Sequence, residues 1–257
     1  MSDYLQELIS HYTMGYGEQN RFCLDRAHTI EYVTSLHFLK KHLPANCSVL
    51  DCCAGGGAYC FPLADAGYKV TAGDLIKEHV DILNAHEKRG LLTDVYQGDA
   101  LSMPQFADGT FDAVLCMGAL YHLHEKVARE ACVRECLRVL KSGGIFVFAY
   151  INRNAIYINH FFNNMGDVNS RKTVLDTGKN GVFYGMDLNE PDELSKNFPL
   201  QKITDIGVDG LIYPLRDRLN SVSDGEFEAY MEYHLATCEQ PSIIGHSMHG
   251  LWIGRKP

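Results

Sequence analysis

"VLDCCAGGGAYCFPLA", running from Val49 to Ala64, sets a carboxylate, two adjacent cysteines and three adjacent glycines inside one short window. The apolar residues before Asp51 read as the end of a buried strand, and the segment after the glycines reads as a helix. In an open α/β sheet a ligand sits beyond the carboxyl ends of the strands, near the first strand–helix turn. Glycine at that turn lets the backbone approach the ligand with no Cβ in the way. The adjacent thiols raise a competing reading, a reactive or metal-binding pair. A vicinal pair does not easily close an unstrained disulfide, and strand alternation turns Cys52 toward the core and Cys53 toward the ligand side. The window therefore reads as a ligand cradle in which the cysteines fill space.

Outward from it, apolar runs alternate with helical patterns. "CSVLDCC", "YKVTAGD", "DVYQGD", "FDAVLCMG" and "GIFVFAY" read as strands, several apolar on both faces as buried parallel strands are. The segment "EKVAREACVRECLRVLKSGG" (125–144) between the last two is an amphipathic helix closed by Gly143 and Gly144. This order predicts a doubly wound α/β fold with right-handed crossovers, a Rossmann-like, mostly parallel sheet of seven strands. "HGLWIGRK" (249–256) is expected as an antiparallel last strand closing the edge. Residues 1–44 read as a helical cap whose second helix buries Ile30, Val33, Leu36 and Leu43, with Pro44 ending it. Residues 46–150 form the core, and 151–257 supply a lid, over about 151–190, and C-terminal strands. With no repeat or low-complexity linker, residues 1–257 read as a single domain.

The 257 residues carry 46% hydrophobic and 21% charged side chains, an ordinary soluble composition. The net charge of −9 argues against nucleic acid, whose affinity comes from Lys and Arg neutralising phosphates. No secretory leader and no apolar run long enough to span a membrane stand out, so a cytoplasmic setting is expected. Nine scattered cysteines have neither zinc-ligand nor redox-dithiol spacing. Cys132 and Cys136 can share a helix face, but plain packing is the expectation and no metal is assigned.

The ligand's charge narrows its identity. Starting at Gly55, the last glycine of a dinucleotide fingerprint falls on Cys60. A pyrophosphate would also be repelled by Asp51, which opposes a nicotinamide-dependent dehydrogenase. A nucleoside carrying an ammonium and a sulfonium suits that carboxylate. "LDCCAGGG" (50–57) resembles the first motif of the class I S-adenosylmethionine-dependent methyltransferases, with Cys53 where the first glycine usually stands, a departure tolerated if Cys53 has negative φ. "VTAGDL", "QGDAL", "FDAVLCMGALYHL" and "ECLRVLKSGGIFVFAY" resemble the next landmarks in register, so the match spans about residues 46–150. The small-molecule group of that family is the nearer likeness. The resemblance implies S-adenosyl-L-methionine as cofactor, with Asp51, Cys53, Ala54, Gly55 and Gly57 at the first turn. It implies that Asp74, with Leu75 beside it, accepts hydrogen bonds from the ribose hydroxyls, and that Asp99 and Ala100 face the adenine. Met117 and Gly118 would line the methionine end.

"YTMGYGEQNRF" and "DRAHTIEY" resemble a cap that closes over the cofactor in one small-molecule group. Arg21 and Arg26 are then candidates for the methionine carboxylate, or else surface partners of Glu18, Asp25 or Glu31. "GALYHLHEK" puts Tyr121 and His122 beyond the fourth strand, where the acceptor should sit. His122 is the candidate general base, or a turn residue bonded to backbone. The aromatic residues Phe161, Phe162, Phe183, Tyr184, Tyr213, Tyr230, Tyr233 and Trp252 make the C-terminal half the expected acceptor wall; His246 and His249 receive no role. The expected activity is methyl transfer to a small-molecule acceptor. An RNA or protein methyltransferase shares the cofactor motifs, and a non-catalytic S-adenosylmethionine-binding regulator would too.

Overall fold

The structure, a computed structural model, describes residues 3–14, 22, 24–163 and 165–257. Five parallel strands form its centre: β1 (Ser48–Asp51), β2 (Lys69–Asp74), β3 (Asp94–Gln97), β4 (Phe111–Cys116) and β5 (Leu140–Asn152). They lie in the order β3-β2-β1-β4-β5, so the chain reverses direction between β1 and β4. That reversal opens a crevice at the carboxyl ends, beside the glycine turn.

The expected antiparallel last strand is present as β9 (His249–Arg255), but it does not close the edge. It lies between β5 and β8 (Gln201–Gly207), antiparallel to both. The physical reason is burial: Leu251, Trp252 and Ile253 are at most 1% exposed and need neighbours on both sides, whereas β8 begins with exposed residues. The indole of Trp252 stacks on Phe148 of β5 at 5.1 Å. Seven strands thus make the main sheet, and a short hairpin, β6 (Lys179–Asn180) and β7 (Phe183–Met186), adds two more at the tip of β5.

Helices cover both faces. On one, α2 (Arg26–His42), α3 (Cys60–Asp65) and α4 (Lys77–Ala85) pack Phe38, Leu39, Phe61 and Leu83 against Val49, Val70, Ala113 and Ile145. On the other, α5 (Lys126–Val139) packs Cys132, Val133 and Cys136 against Leu50, Val114 and Phe146. Alternation along each strand sends neighbours such as Val49 and Leu50 into different cores. The helix α5 stops before the two glycines, at Val139, because Leu140 already joins the sheet.

The stripe expected on α2 is displaced. Ile30 and Leu43 are buried, but Val33 is 43% exposed, and the buried face includes the polar Glu31, Thr34 and Ser35. Asp25 caps this helix by accepting from the backbone N–H of His28. Ahead of it, α1 (Asp3–Met14) brings Leu8 and Tyr12 over the sheet's carboxyl edge. Residues 151–190, expected as a lid, hold α6 (Arg153–Phe162), α7 (Val168–Thr177) and the hairpin. None of them lines the crevice among the described residues; Val182 and Phe183 instead back the turn after β4.

Candidate active site

The glycine turn is held by hydrogen bonds to the tip of β2. Ala54 N–H donates to the Gly73 carbonyl at 2.9 Å, and Gly55 N–H donates to Asp74 Oδ2 at 2.8 Å. Gly57 has φ of 96°, and a Cβ there would lie 2.3 Å from the Phe61 ring. Two independent constraints therefore demand glycine. Asn46 is the only described non-glycine residue with positive φ, so Cys53 replaces the usual glycine without strain.

Above this turn opens a cavity of about 990 Å³. Cys53, Ala54, Gly55 and Gly57 form its floor, Asp74 and Leu75 one side, and Asp99 and Ala100 the next. Met117 and Gly118 close the far end, with Tyr121 and His122 beyond them. Asp74 Oδ1 accepts from Ile76 N–H at 2.8 Å and lies 3.1 Å from His79 Nδ1, while Asp99 Oδ1 accepts from Leu101 N–H at 2.9 Å. The charged lining is acidic: Asp65, Asp74, Glu87 and Asp99 against Lys88, which is paired with Asp65.

Three expectations need correction. Asp51 is 1% exposed and does not line the cavity; it sits beneath the turn, with Oδ1 lacking a hydrogen-bond partner. Burial pushes its carboxyl up to about 7, against the Cys53 N–H that favours the charge, and the nearby Asp74 adds to the rise. Arg26 is turned away: its guanidinium donates to the Val222 carbonyl at 2.8 Å and to Asp224 at 2.6 Å, over the Phe227 ring. Arg21 lies outside the described residues. None of the aromatic residues expected as the acceptor wall in the C-terminal half lines this cavity among the described residues: Trp252 is core, and Phe161 and Phe162 are 65% and 69% exposed.

His122 is buried and held at both ring nitrogens. Nδ1 lies 2.9 Å from the Val182 carbonyl, and Nε2 lies 2.8 Å from the Tyr12 hydroxyl. A carbonyl only accepts, so Nδ1 carries the proton and Nε2 takes the hydrogen bond from Tyr12. Burial pushes its pKa down to about 4. Tyr121 donates its hydroxyl to the Met117 carbonyl at 3.2 Å.

Sequence reading missed three aromatic residues that line the cavity, Tyr12, Tyr32 and Tyr59; Phe22 meets Tyr59 edge-on and Tyr32 at a tilt. Tyr59, Met117 and Tyr121 also wall a second cavity of about 20 Å³, reached by Glu31 of α2 and His249 of β9. There His249 Nδ1 lies 2.7 Å from Asp209 Oδ2 and 3.4 Å from Glu31 Oε2. Asp209 is fully buried, and it also accepts from the Ser247 hydroxyl and the His249 N–H. A glutamate on a helix's buried stripe was the available signal, legible only once the stripe's true phase was known.

The cysteines pack as a group. Cys52 and Cys53 keep their sulfurs 4.0 Å apart, and Cys116 and Cys132 approach to 3.7 Å. Cys116, Cys132 and Cys136 are fully buried among aliphatic side chains of the α5 core.

Comparison with known proteins follows the same outline. Residues 50–148 match the methyltransferase domain family. The chain is 35% identical over 126 residues to the ubiquinone biosynthesis O-methyltransferase of Chromobacterium violaceum, covering 47% of this chain and 51% of that protein. The chain thus spans about half the length of the curated relatives it matches first. Among solved structures, a SAM-dependent methyltransferase from Methanosarcina mazei aligns with a TM-score of 0.58 at 17% identity, over 85% of this chain and 96% of that one. The [4+2]-cyclase SpnF aligns with a TM-score of 0.57 at 20% identity, over 88% and 80%. At such identities the likeness establishes the fold.

Proposed function

We propose that the chain is a class I S-adenosylmethionine-dependent methyltransferase, as the match of residues 50–148 to the methyltransferase domain family supports, and that it transfers a methyl group to a small-molecule acceptor. The observation that carries this reading is the charge of the cavity. Four carboxylates and a single lysine among the described lining residues favour a cationic ligand and disfavour a pyrophosphate. A volume of about 990 Å³ lies at the upper end for small-molecule sites, enough for two ligands side by side.

The residues present fit S-adenosylmethionine. Asp74 takes the ribose hydroxyls, Asp99 and Ala100 meet the adenine, and the Cys53–Gly57 turn lies along the body of the ligand. Met117 and Gly118 flank the methionine end. Asp51 acts from below the turn rather than as a contact, giving up its proton when the cationic ligand binds. Bound there, the cofactor supplies an electrophilic methyl group on a positively charged sulfur. The chain's part is to hold the acceptor in line behind that group, an alignment worth roughly 7–11 kcal/mol of barrier. His122, neutral and bonded at both nitrogens, positions Tyr12 over the cavity and is unsuited to taking a proton.

Eight described thiols, all unpaired, suit a reducing compartment, and we infer a cytoplasmic setting. No helix among the described residues is long and apolar enough to cross a membrane. Calorimetric titration with S-adenosylmethionine and with NAD tests the cofactor: binding of the first alone is expected, and tight binding of NAD overturns the reading. Release of S-adenosylhomocysteine on incubation with small-molecule acceptors separates an enzyme from a binding regulator.

A further inference from the structure

We propose a soft-metal site in the floor of the large cavity, where the sulfurs of Cys52, Cys53 and Cys116 bind one copper(I) ion. The site is built from thiols alone and does not depend on the methyl-transfer reading.

The sheet gathers the three sulfurs. Cys52 and Cys53 follow β1, Cys116 ends the neighbouring strand β4, and the Cys52 N–H donates to the Leu115 carbonyl at 3.1 Å. The Cys52 thiol turns to that same carbonyl at 3.3 Å, toward the strand that carries Cys116. All three sulfurs lie within 4.8 Å of one another, and those of Cys52 and Cys53 are 4.0 Å apart. A metal–sulfur bond of ~2.3 Å sets the sulfurs of a planar three-coordinate site about 4.0 Å apart. Small side-chain rotations therefore close the trio around one ion. Gly118 leaves room for them, since a Cβ there would lie 2.8 Å from the Cys53 Cβ.

Donor chemistry selects the ion. The trio offers sulfur alone, and soft thiolates favour copper(I) or zinc over calcium, magnesium or manganese. Zinc in a closed thiolate site takes four ligands at the corners of a tetrahedron. A second trio, Cys116, Cys132 and Cys136, lies behind the first, and the two share Cys116 alone. No fourth thiol completes a tetrahedron around the first trio among the described residues. Copper(I), with a single charge, is satisfied by three sulfurs. Packing accounts for thiols enclosed in a core, as the second trio is, but Cys52 and Cys53 line the cavity and Cys53 is only partly buried. An ion reaches the first trio from that side. It keeps its oxidation state on binding, and each thiol that ligates gives its proton to water. The bound ion ties the glycine turn to the end of β4, beneath whatever ligand fills the cavity.

The test uses the full chain, reduced and held free of oxygen, with copper(I) supplied in excess bicinchoninate so that isolated thiols do not compete. Wild type is expected to withdraw one copper(I) per chain, seen as lost chelator colour and a new near-ultraviolet thiolate-to-copper band. Cys116→Ala and Cys53→Ser should each weaken uptake about 100-fold or more, while Cys132→Ala changes it by less than about threefold. Circular dichroism checks the fold of each variant, and Cys53→Ser, at a partly exposed position, carries the test if Cys116→Ala does not fold. Zinc(II), titrated with its own indicator, should bind about 100-fold more weakly than copper(I). Absence of copper uptake, full uptake by Cys53→Ser or by a folded Cys116→Ala, loss of uptake by a folded Cys132→Ala, or tighter binding of zinc each overturns the inference. A chain that takes copper(I) but does not bind S-adenosylmethionine overturns the methyl-transfer reading alone.

Discussion

The two walls of the cavity are made differently. The floor and one side are backbone turns at the ends of β1, β2, β3 and β4, and their residues fall in short runs such as Cys53–Gly57 and Asp74–Leu75. Other lining comes from side chains on separate elements, Tyr12, Tyr32 and Tyr59, with Glu31 and His249 lining the smaller cavity beside it and Asp209 meeting His249 there. Backbone recognition needs glycine, tight turns and strand-end carboxylates in a fixed order, which leaves a local pattern. Recognition by convergent side chains needs only that distant elements meet, and it leaves no spacing to read. A cofactor site built the first way can be shared across many acceptors, while the second kind of wall sets which acceptor enters.

The sharpest way to break this contrast is at Gly57. Gly57→Ala combines a positive φ with a collision against Phe61, and cofactor affinity is expected to fall about 100-fold or more, equivalent to ~2.7 kcal/mol. Calorimetry measures the loss and circular dichroism reports whether the fold survives. Unchanged affinity would mean that the turn does not cradle the ligand.

The buried carboxyl beneath that turn has a comparable effect, expressed through pH. Asp51 is raised from 3.8 to about 7, so the folded chain holds this proton where the unfolded chain has released it. Stability from this group is therefore present below about pH 4 and lost as the pH rises to about 7. His122 runs the other way. Lowered from 6.5 to about 4, it contributes above pH 6.5 and loses that contribution as the pH falls toward 4. The two slopes oppose each other between about pH 4 and 6.5. Asp51→Asn should raise the thermal midpoint at pH 8 by the equivalent of at most about 4 kcal/mol. An unchanged midpoint would show that Asp51 ionises at no cost. A cationic ligand should also release a proton from Asp51 on binding at pH 6, measurable as a dependence of the calorimetric heat on buffer ionisation.

Smaller effects sharpen the contrast. Asp74→Asn and Asp99→Asn should each weaken cofactor binding about tenfold, near 1.4 kcal/mol, with little change in the thermal midpoint. A larger loss of stability than of affinity at Asp74 would make its bonds to Gly55 and Ile76 the main role. Arg26→Ala should cost at most about 1 kcal/mol of stability, the range of a partly exposed ion pair, and leave cofactor affinity unchanged. A tenfold affinity loss there would restore Arg26 to the site.

The doubly wound order was legible because parallel strands buried on both faces, alternating with amphipathic helices, leave a periodic record. The cavity-lining residues Cys53, Gly57, Asp74 and Asp99 were legible for the same reason, since each sits at the end of a strand or in the turn that follows it. Where sequence reading missed, a tertiary contact decided. Arg26 had carboxylates on offer both near and far in sequence, and the fold brought it to Asp224. His122 stood where a base was expected, but Val182 and Tyr12 took up its two nitrogens.

The sequence by itself determined the layered sheet, the glycine turn and the carboxylates at the ends of β2 and β3, because these depend on local conformational preference and on period. Only the tertiary structure decided that β9 lies inside the sheet, that Asp51 is buried beneath the turn, and that Glu31, Asp209 and His249 converge beside Met117. Those outcomes depend on how burial and charge are satisfied among residues up to 218 positions apart, counted from Glu31 to His249, and no single stretch of chain encodes them.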